Sequence, residues 1–204
     1  MGLALTDSTE ERAGRGSFFG HLKGSGFNKP LCSFFSIVFC VLSFAVWAED
    51  QSGALNAVPN LRHHAGNVYS AGQPNPAAFV EFANSGVNDV INLRSHDEMK
   101  EINEEAAVIE AGMHYHNIAV ATVEDLNLNN ARQLHQLMAQ LGNKNTLVHC
   151  RSSNRVGALM ALRAAWLQGK NMNEALAIGK LYGLTSLEPE IITLLTRPHV
   201  STVN

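Results

Sequence analysis

The chain has 204 residues, which is enough for one domain with a hydrophobic core and too few for a second full domain of ordinary size. Its hydrophobic fraction of 46% and charged fraction of 16% are ordinary for a globular protein. A net charge of -3 provides no basic surface for a nucleic-acid backbone, so we do not expect nucleic acid as a partner.

The N-terminal region contains an uncharged apolar segment, Leu31 to Ala48, with Lys23 and Lys29 before it and Glu49-Asp50 after it. Basic residues before an apolar segment that ends in small residues are typical of an export signal, here with cleavage after Ala48. The alternative is an uncleaved membrane anchor, since the segment is near the lower limit of about 18 apolar residues for a membrane helix. Both interpretations predict a domain outside the cytoplasm, either free in the periplasm or tethered to the membrane.

Composition divides the chain into a targeting segment, a linker, a folded domain and a tail. The predicted bounds of these parts are 1–48, 49–60, 61–198 and 199–204. Cys32 and Cys40 belong to the targeting segment, so Cys150 is the only thiol expected in the exported domain. A single cysteine cannot form an intramolecular disulfide, so Cys150 is either a buried, inert thiol or a functional one.

The folded domain shows strand and helix patterns in alternation. Strands are predicted at 67–70, 89–94, 114–120 and 145–149. Helices are predicted between Asn75 and Gly86 and over 99–111, 128–141, 156–168 and 173–182. The residues expected on the packing faces of the first two helices are Phe79, Val80, Phe82, Ile102, Ala106 and Ile109. This alternation predicts an α/β fold with a central, mostly parallel sheet flanked by helices.

The segment His149-Cys150-Arg151-Ser152-Ser153-Asn154-Arg155 connects the last predicted strand to a helix. Ligands bind beyond the carboxyl ends of the strands in an open α/β sheet, so Cys150 is well placed for chemistry. A helix start offers free N–H groups and partial positive charge, which stabilise a thiolate and bind an oxyanion. Arg155 adds a planar fork for two phosphate oxygens, and Ser152 and Ser153 add hydroxyl donors.

Three segments of the chain resemble one family in the same order. They are Tyr69-Ser70-Ala71-Gly72-Gln73-Pro74, then Val90-Ile91-Asn92-Leu93-Arg94 followed by Glu98, and then the segment from Val148 to Gly157. This pattern resembles the beta-lactamase-hydrolase-like phosphatases of bacteria, which are related to the dual-specificity and tyrosine phosphatases. The resemblance covers Asn67 to Leu184. It implies a three-layer architecture like that of the dual-specificity phosphatases.

The resemblance implies a cysteine-dependent phosphatase that acts on a phosphorylated small molecule or a phosphoprotein and needs no cofactor. Cys150 would be the nucleophile and form a cysteinyl-phosphate. The residues implied to bind phosphate are Arg151, Ser152, Ser153, Asn154 and Arg155. His149 would tune the thiol or be a buried core histidine. Asp125 is the preferred general acid, with Glu124 as the alternative.

Two departures from the tyrosine-phosphatase pattern leave other functions open. Four residues separate Cys150 from Arg155, where tyrosine phosphatases have five, and four is the spacing of rhodanese-type sulfurtransferases. Ser153 stands where relatives commonly have glycine, which predicts a strained residue at positive φ. Val156 stands where many tyrosine phosphatases have a hydroxyl, which predicts slow turnover. The alternatives are a rhodanese-like sulfurtransferase and a non-catalytic phosphoanion-binding module.

Other polar residues are assigned weaker roles. Arg94, at the end of a predicted strand, is expected either to support the site or to have a surface or ion-pair role. His114 and His116 share a strand face and His63-His64 are adjacent, but no carboxylate or cysteine accompanies them at a recognised ligand spacing. The sequence therefore predicts no metal site.

Overall fold

The structure is a computed structural model that describes residues 53–197. The predicted targeting segment, the first residues of the predicted linker and the C-terminal tail lie outside the described residues, so export and the domain bounds stay predictions. Within the described part of the chain, no helix is both long enough and apolar enough to cross a membrane.

A five-stranded sheet forms the centre of the described domain, with the strand order β1-β2-β5-β3-β4. The strands are β1 (Arg62–His64), β2 (Val68–Ala71), β3 (Asp89–Asn92), β4 (His114–Asn117) and β5 (Thr146–His149). Only β1 pairs antiparallel, with β2, and the other three pairings are parallel. The predicted mostly parallel sheet is therefore confirmed, with β1 as an edge strand that the sequence did not indicate.

Helices cover both faces of this sheet. They are α1 (Pro76–Asn84), α2 (Glu104–Glu110), α3 (Leu128–Leu141), α4 (Asn154–Gln168), α5 (Met172–Leu181) and α6 (Glu188–Thr196). Asparagine side chains cap α1, α2, α3 and α5 by accepting a backbone N–H from the first turn, which explains why these helices begin where they do. The three-layer α/β architecture is confirmed.

Two hydrophobic clusters lie on opposite faces of the sheet. The smaller one packs α1 and α2 on Val90 and Leu147, and the larger one packs α3 to α6 on Ile91 and Val148. Successive side chains of a strand point to opposite faces, so the end of β5 divides as well. His149 lies on the α1 and α2 side, against the ring of Phe79, while Cys150 belongs to the larger cluster.

Two predicted packing residues lie in solvent instead. Val80 on α1 is 42% exposed and Ile109 on α2 is 57% exposed. The helix predicted over 99–111 is in fact a 3-10 turn, His96–Met99, followed by the shorter α2. The face of α2 that turns inward carries Val108 and the buried carboxylate of Glu104. A hydrophobic pattern could not reveal this face because one of its members is an acid.

Part of the predicted linker packs on the folded domain. The backbone N–H groups of Ala54 and Leu55 donate to the two carboxylate oxygens of Glu81, at 3.2 and 2.9 Å, and Val58 is buried in the smaller cluster. Glu81 on α1 is itself largely buried, so its charge is balanced by backbone donors instead of a basic side chain.

Helices α4 and α5 approach each other at two glycines, and this contact generates a stability prediction. A Cβ at Gly157 would overlap the backbone nitrogen of Leu184 and lie 2.5 Å from the carbonyl oxygen of Gly179. We expect Gly157→Ala to lower the free energy of unfolding by about 3 kcal/mol or more, because backbone atoms must move apart.

Urea denaturation followed by circular dichroism measures this loss. Gly53→Ala is the control, since a Cβ there meets nothing within 4 Å. Equal stability of the two variants would contradict the close packing of α4 on α5.

Candidate active site

The loop after β5 is fixed by its backbone contacts. The Cys150 N–H donates to the carbonyl of Ala71 at 3.3 Å, and the carbonyl of Arg151 accepts from the Gln73 N–H at 3.2 Å. The carbonyl of Ser152 accepts from the Asn60 side-chain amide at 3.1 Å. These contacts turn the loop carbonyls toward neighbouring segments. The N–H groups at the start of α4, which have no acceptor within the helix, remain available for an oxyanion.

Ser153 adopts the positive φ that its place in the motif predicts. Its φ is 69°, in the left-handed region, and the residue is buried. A non-glycine residue there is strained by about 1 kcal/mol. The Ser153 hydroxyl donates to the carbonyl of Tyr182 at 2.9 Å, so it is used by the fold. The Ser153 hydroxyl that the sequence assigns to phosphate binding is therefore engaged by Tyr182 instead.

Asn154 is also occupied by the fold. Its side-chain amide donates to the Ser186 hydroxyl at 2.7 Å, and its carbonyl oxygen accepts from the Thr185 N–H at 2.7 Å. Asn154 therefore ties the start of α4 to the segment before α6, and it also lines the cavity described below. Arg151 and Ser152 are exposed and line the same cavity.

Arg155 lies in the first turn of α4 and forms a bidentate ion pair with Glu98. Nη1 and Nη2 donate to the two Glu98 carboxylate oxygens, each at 2.7 Å, and Nη1 also donates to the Val120 carbonyl at 2.6 Å. A guanidinium has five N–H donors, so these three bonds leave one donor on Nη2 and the donor on Nε. Two parallel donors of this kind match two phosphate oxygens.

The ion pair favours the charged forms of both Arg155 and Glu98. The hydrogen bonds from Arg155 hold the pKa of Glu98 at about 2, well below its usual value of 4.5. The pKa of Arg155 is raised, first by the Glu98 carboxylate and to a smaller extent by the neighbouring Cys150 sulfur. The guanidinium is therefore a fixed positive charge next to the candidate nucleophile.

A cavity of about 280 Å³ lies in front of this loop. Its lining residues are Ala121, Thr122, Val123, Leu126, Arg151, Ser152, Asn154, Arg155 and Leu187. Cys150 lies below the loop with no exposed surface. The cavity therefore brings together four of the candidate phosphate-binding residues, Arg151, Ser152, Asn154 and Arg155, and one of its walls is formed by the segment that carries the two candidate acids.

The candidate acid Asp125 serves as a cap in this structure. Its Oδ2 atom accepts from the backbone N–H groups of Ala121 and Thr122, at 2.9 and 3.0 Å, and holds a 3-10 turn, Val123–Asp125, at the cavity wall. The alternative, Glu124, is exposed, and a hydrogen bond from Thr122 lowers its pKa, which disfavours a proton donor. Neither carboxylate lines the cavity itself, so the acid role of Asp125 stays a prediction.

A second set of polar side chains connects His149 with Arg94. His149 Nε2 lies 2.9 Å from Glu104 Oε1, and Glu104 Oε2 accepts from the Gln73 amide at 2.5 Å. Gln73 Oε1 accepts from Arg94 Nη1 at 2.6 Å, and Arg94 Nη2 donates to the Glu98 carbonyl at 2.7 Å. Arg94 is only 11% exposed, so it is not a surface residue, but its Nε lies 3.5 Å from Glu98 Oε2, so the expected ion pair is present.

Glu104 is the residue that the sequence did not single out. It stands beside Glu105 at the start of a helix, where acidic residues are common, and nothing in its spacing distinguishes a buried carboxylate from an exposed one. Glu98 was visible only as part of the family pattern. Its partner Arg155 lies far away in sequence, so their pairing could not be read from local spacing.

The predicted histidine pair does acquire a carboxylate neighbour. His116 Nε2 lies 2.9 Å and His114 Nδ1 3.6 Å from Asp89 Oδ1, at the opposite end of the parallel strands from Cys150. Lys144 Nζ lies 3.9 Å from Asp89 Oδ2 and supplies a positive charge there. Among residues 53–197, no group of three or more histidine, cysteine or acidic residues is arranged to hold a metal ion.

Comparison with solved structures links this fold to phosphatases. Two crystal structures of an inferred phosphatase of domain group DUF442 from Shewanella putrefaciens CN-32 match with 28% and 29% identity and TM-scores of 0.54 and 0.52. Both matches cover 70% of this chain, and 90% and 93% of the respective solved chains. No family model matches the chain, and a search of curated proteins found no match either.

Two further structures show the shared fold. An inferred phosphatase from Neisseria meningitidis Z2491 matches at 22% identity and a TM-score of 0.53, over 63% of this chain and 91% of its own. Tk-PTP in its active form matches at 20% identity and a TM-score of 0.51, over 67% of this chain and 96% of its own. These two matches show a fold shared with Tk-PTP and with the Neisseria protein, and the likeness to phosphatases at higher identity is that to the Shewanella structures. The narrower beta-lactamase-hydrolase-like assignment stays a prediction.

The Glu98 pair predicts a specific pH dependence of stability. Because the pKa of Glu98 is lower in the folded protein than in the unfolded chain, its ionised form stabilises the fold above pH 4.5. This contribution is lost as the pH falls toward 2. Glu98→Gln lacks it, so the difference in unfolding free energy between wild type and variant should be largest above pH 4.5 and shrink below.

Urea denaturation at a series of pH values between 2 and 7 measures this difference. Asp97→Asn on the same turn is the control, because its side chain is 83% exposed. A wild-type-to-variant difference that does not change across the window would show that the ion pair does not stabilise the fold.

Proposed function

We propose that this chain, a relative of tyrosine and dual-specificity phosphatases, hydrolyses phosphomonoesters with Cys150 as the nucleophile. The observation that carries the proposal is the state of Arg155 beside the Cys150 sulfur. Glu98 and the Val120 carbonyl occupy three of its five donors, and the guanidinium also hydrogen-bonds to the Cys150 sulfur, so its remaining donors lie at the candidate nucleophile. Guanidinium donors beside a thiol, at the start of a helix, are suited to bind a phosphoryl group while it is transferred from oxygen to sulfur.

The proposed reaction has two steps. The Cys150 thiolate attacks phosphorus, the bond to the ester oxygen breaks, and the leaving oxygen takes a proton from Asp125. Water then attacks the cysteinyl-phosphate, giving its proton to the Asp125 carboxylate, and the sulfur–phosphorus bond breaks to release phosphate. Arg155 and the backbone N–H groups of the loop hold the phosphoryl oxygens through both steps. The alkyl side chain of Val156 offers no hydroxyl to assist the second step, which supports slow turnover.

The substrate we propose is a phosphorylated small molecule or a phosphoprotein that the protein meets outside the cytoplasm. Exposed Arg151 supports an anionic substrate, and the cavity walls from Thr122 to Leu126 and at Leu187 carry no aromatic ring. Export is supported by the uncharged segment from Leu31 to Ala48. Contact with the membrane follows only if that segment is not cleaved.

The central test uses p-nitrophenyl phosphate with the purified protein under reducing conditions. We expect wild type to release phosphate and Cys150→Ser to lose this activity completely, because the sulfur is the atom that bonds phosphorus. Arg155→Lys keeps the positive charge but loses the fork, and we expect at least about a 100-fold lower kcat/KM.

The same preparation separates the alternatives. Cyanide-dependent formation of thiocyanate from thiosulfate, lost in Cys150→Ser, would identify a sulfurtransferase instead. Stabilisation by inorganic phosphate without any phosphate release would establish the binding module and overturn the proposed reaction.

A second prediction separates an acid role of Asp125 from its capping role. A general acid matters most when the leaving group is strongly basic, so Asp125→Asn should slow hydrolysis of phenyl phosphate by about 100-fold or more. The same variant should slow hydrolysis of p-nitrophenyl phosphate, whose leaving group is much less basic, to a far smaller extent.

Steady-state rates on both esters, with Glu124→Gln as the control, make this measurement. Loss of the cap alone would disturb the cavity wall and slow both esters by a similar factor. That result would assign the acid role to another group.

A further inference from the structure

The two polar sets described above join into one continuous network. It runs from His149 through Glu104, Gln73, Arg94 and Glu98 to Arg155, and every link is a side-chain hydrogen bond or ion pair. The side chains of His149 and Glu104 are fully enclosed at 0% and 1% exposure, and the ends at Glu98 and Arg155 are 27% and 16% exposed. The network therefore begins in the core and ends at the cavity.

The donors and acceptors of this network constrain one another. Arg94 can only donate, so Gln73 must turn its carbonyl oxygen toward Arg94 and its amide nitrogen toward Glu104. Glu104 then accepts from Gln73 with Oε2, and its Oε1 lies opposite His149 Nε2. His149 Nδ1 is buried with no partner, so a ring proton on Nε2, bonded to Glu104, is the arrangement that leaves no buried donor unpaired.

The network closes a ring with the loop that carries the nucleophile. His149 is bonded to Cys150, and Arg155 lies at the other end of the same loop, in the first turn of α4. The loop backbone connects His149 to Arg155 directly. The side-chain network connects the same two residues a second time, through Glu104, Gln73, Arg94 and Glu98. A displacement at Glu104 would therefore reach both the residue before the nucleophile and the phosphate-binding arginine.

We propose that Glu104 and Gln73 are positioning residues that set the geometry of His149 and Arg155 around Cys150. The inference rests on the proposed function of this site, since it names the residues that support its nucleophile and its phosphate fork. Neither residue lines the cavity, so neither contacts the substrate. Their effect is to keep the reacting groups in place, where small displacements are costly to the rate.

The first experiment changes the polarity of one link without changing its shape. Glu104→Gln places an amide between Gln73 and His149. Its N–H must face either the Gln73 donor or His149 Nε2, which can accept only if the ring proton moves to Nδ1, a buried atom with no partner. We expect kcat/KM for p-nitrophenyl phosphate to fall by about tenfold or more, and the stabilisation of the protein by inorganic phosphate to weaken. Glu105→Gln is the matched control, because Glu105 is the exposed neighbour on the same helix.

The second experiment exchanges the two polar groups. In Gln73→Glu with Glu104→Gln, the new carboxylate at position 73 accepts from Arg94 and from the new amide at position 104. The carbonyl oxygen of that amide accepts from His149 Nε2, so every link of the network is satisfied again. We expect the double variant to recover most of the kcat/KM and phosphate stabilisation that each single variant loses.

The outcomes decide the inference separately from the proposed reaction. If both single variants fold and keep wild-type kcat/KM and wild-type stabilisation by phosphate, the positioning role is wrong. The double variant must also exceed both single variants in kcat/KM at equal melting temperature, since recovered stability alone would indicate a purely structural network.

If wild type releases no phosphate, the proposed function fails, and phosphate stabilisation across the same variants still tests the network. Should Glu104→Gln not fold, Gln73→Met breaks the same network one link further on, and unchanged phosphate stabilisation would overturn the inference.

Discussion

The ion pair between Glu98 and Arg155 is the interaction on which the site depends. An arginine in the first turn of a helix has several rotamers, and most of them would point the guanidinium into solvent. Glu98 takes both terminal nitrogens, and the Val120 carbonyl takes a further donor, so the plane of the guanidinium is fixed by two different segments of the chain. The Glu98 carboxylate anchors one edge of the guanidinium, and the remaining donors of Arg155 lie at the Cys150 sulfur. Binding of an anion therefore requires little reorganisation of Arg155.

Most of the fold could be predicted because it depends on local signals. Asn75 and Pro76 mark the start of α1, the apolar run before Cys150 marks β5, and the glycines after 168 and 182 mark helix ends. These features act through backbone geometry that a short window of sequence contains. Strand β1 and helix α6 were not predicted because both segments mix polar and apolar residues, and their packing partners lie far away in sequence.

The candidate site, like the fold, could be predicted only where it depends on local sequence. Cys150 and Arg155 were visible because the strand, the loop and the helix that place them are contiguous, and Ser153 at positive φ followed from the same loop. Contacts between distant segments were not visible. The hydroxyl of Ser153 and the side chain of Asn154 looked like phosphate ligands until the fold placed acceptors and donors from residues 182–186 beside them. A short polar side chain in a loop serves whichever partner tertiary structure brings closest.

The alternation of β5 explains why a network around the loop is needed at all. His149 and Cys150 are neighbours in the chain, yet they face opposite sides of the sheet and belong to different hydrophobic clusters. A side chain on the α1 and α2 face cannot touch a phosphoryl group held on the other face, so His149 influences the site only through the backbone or through its partners. Glu104, Gln73 and Arg94 lead from that face around the end of the sheet to Glu98 and Arg155. A buried carboxylate at position 104 is costly in isolation, and its retention in the core is accounted for by the two donors that it holds in register.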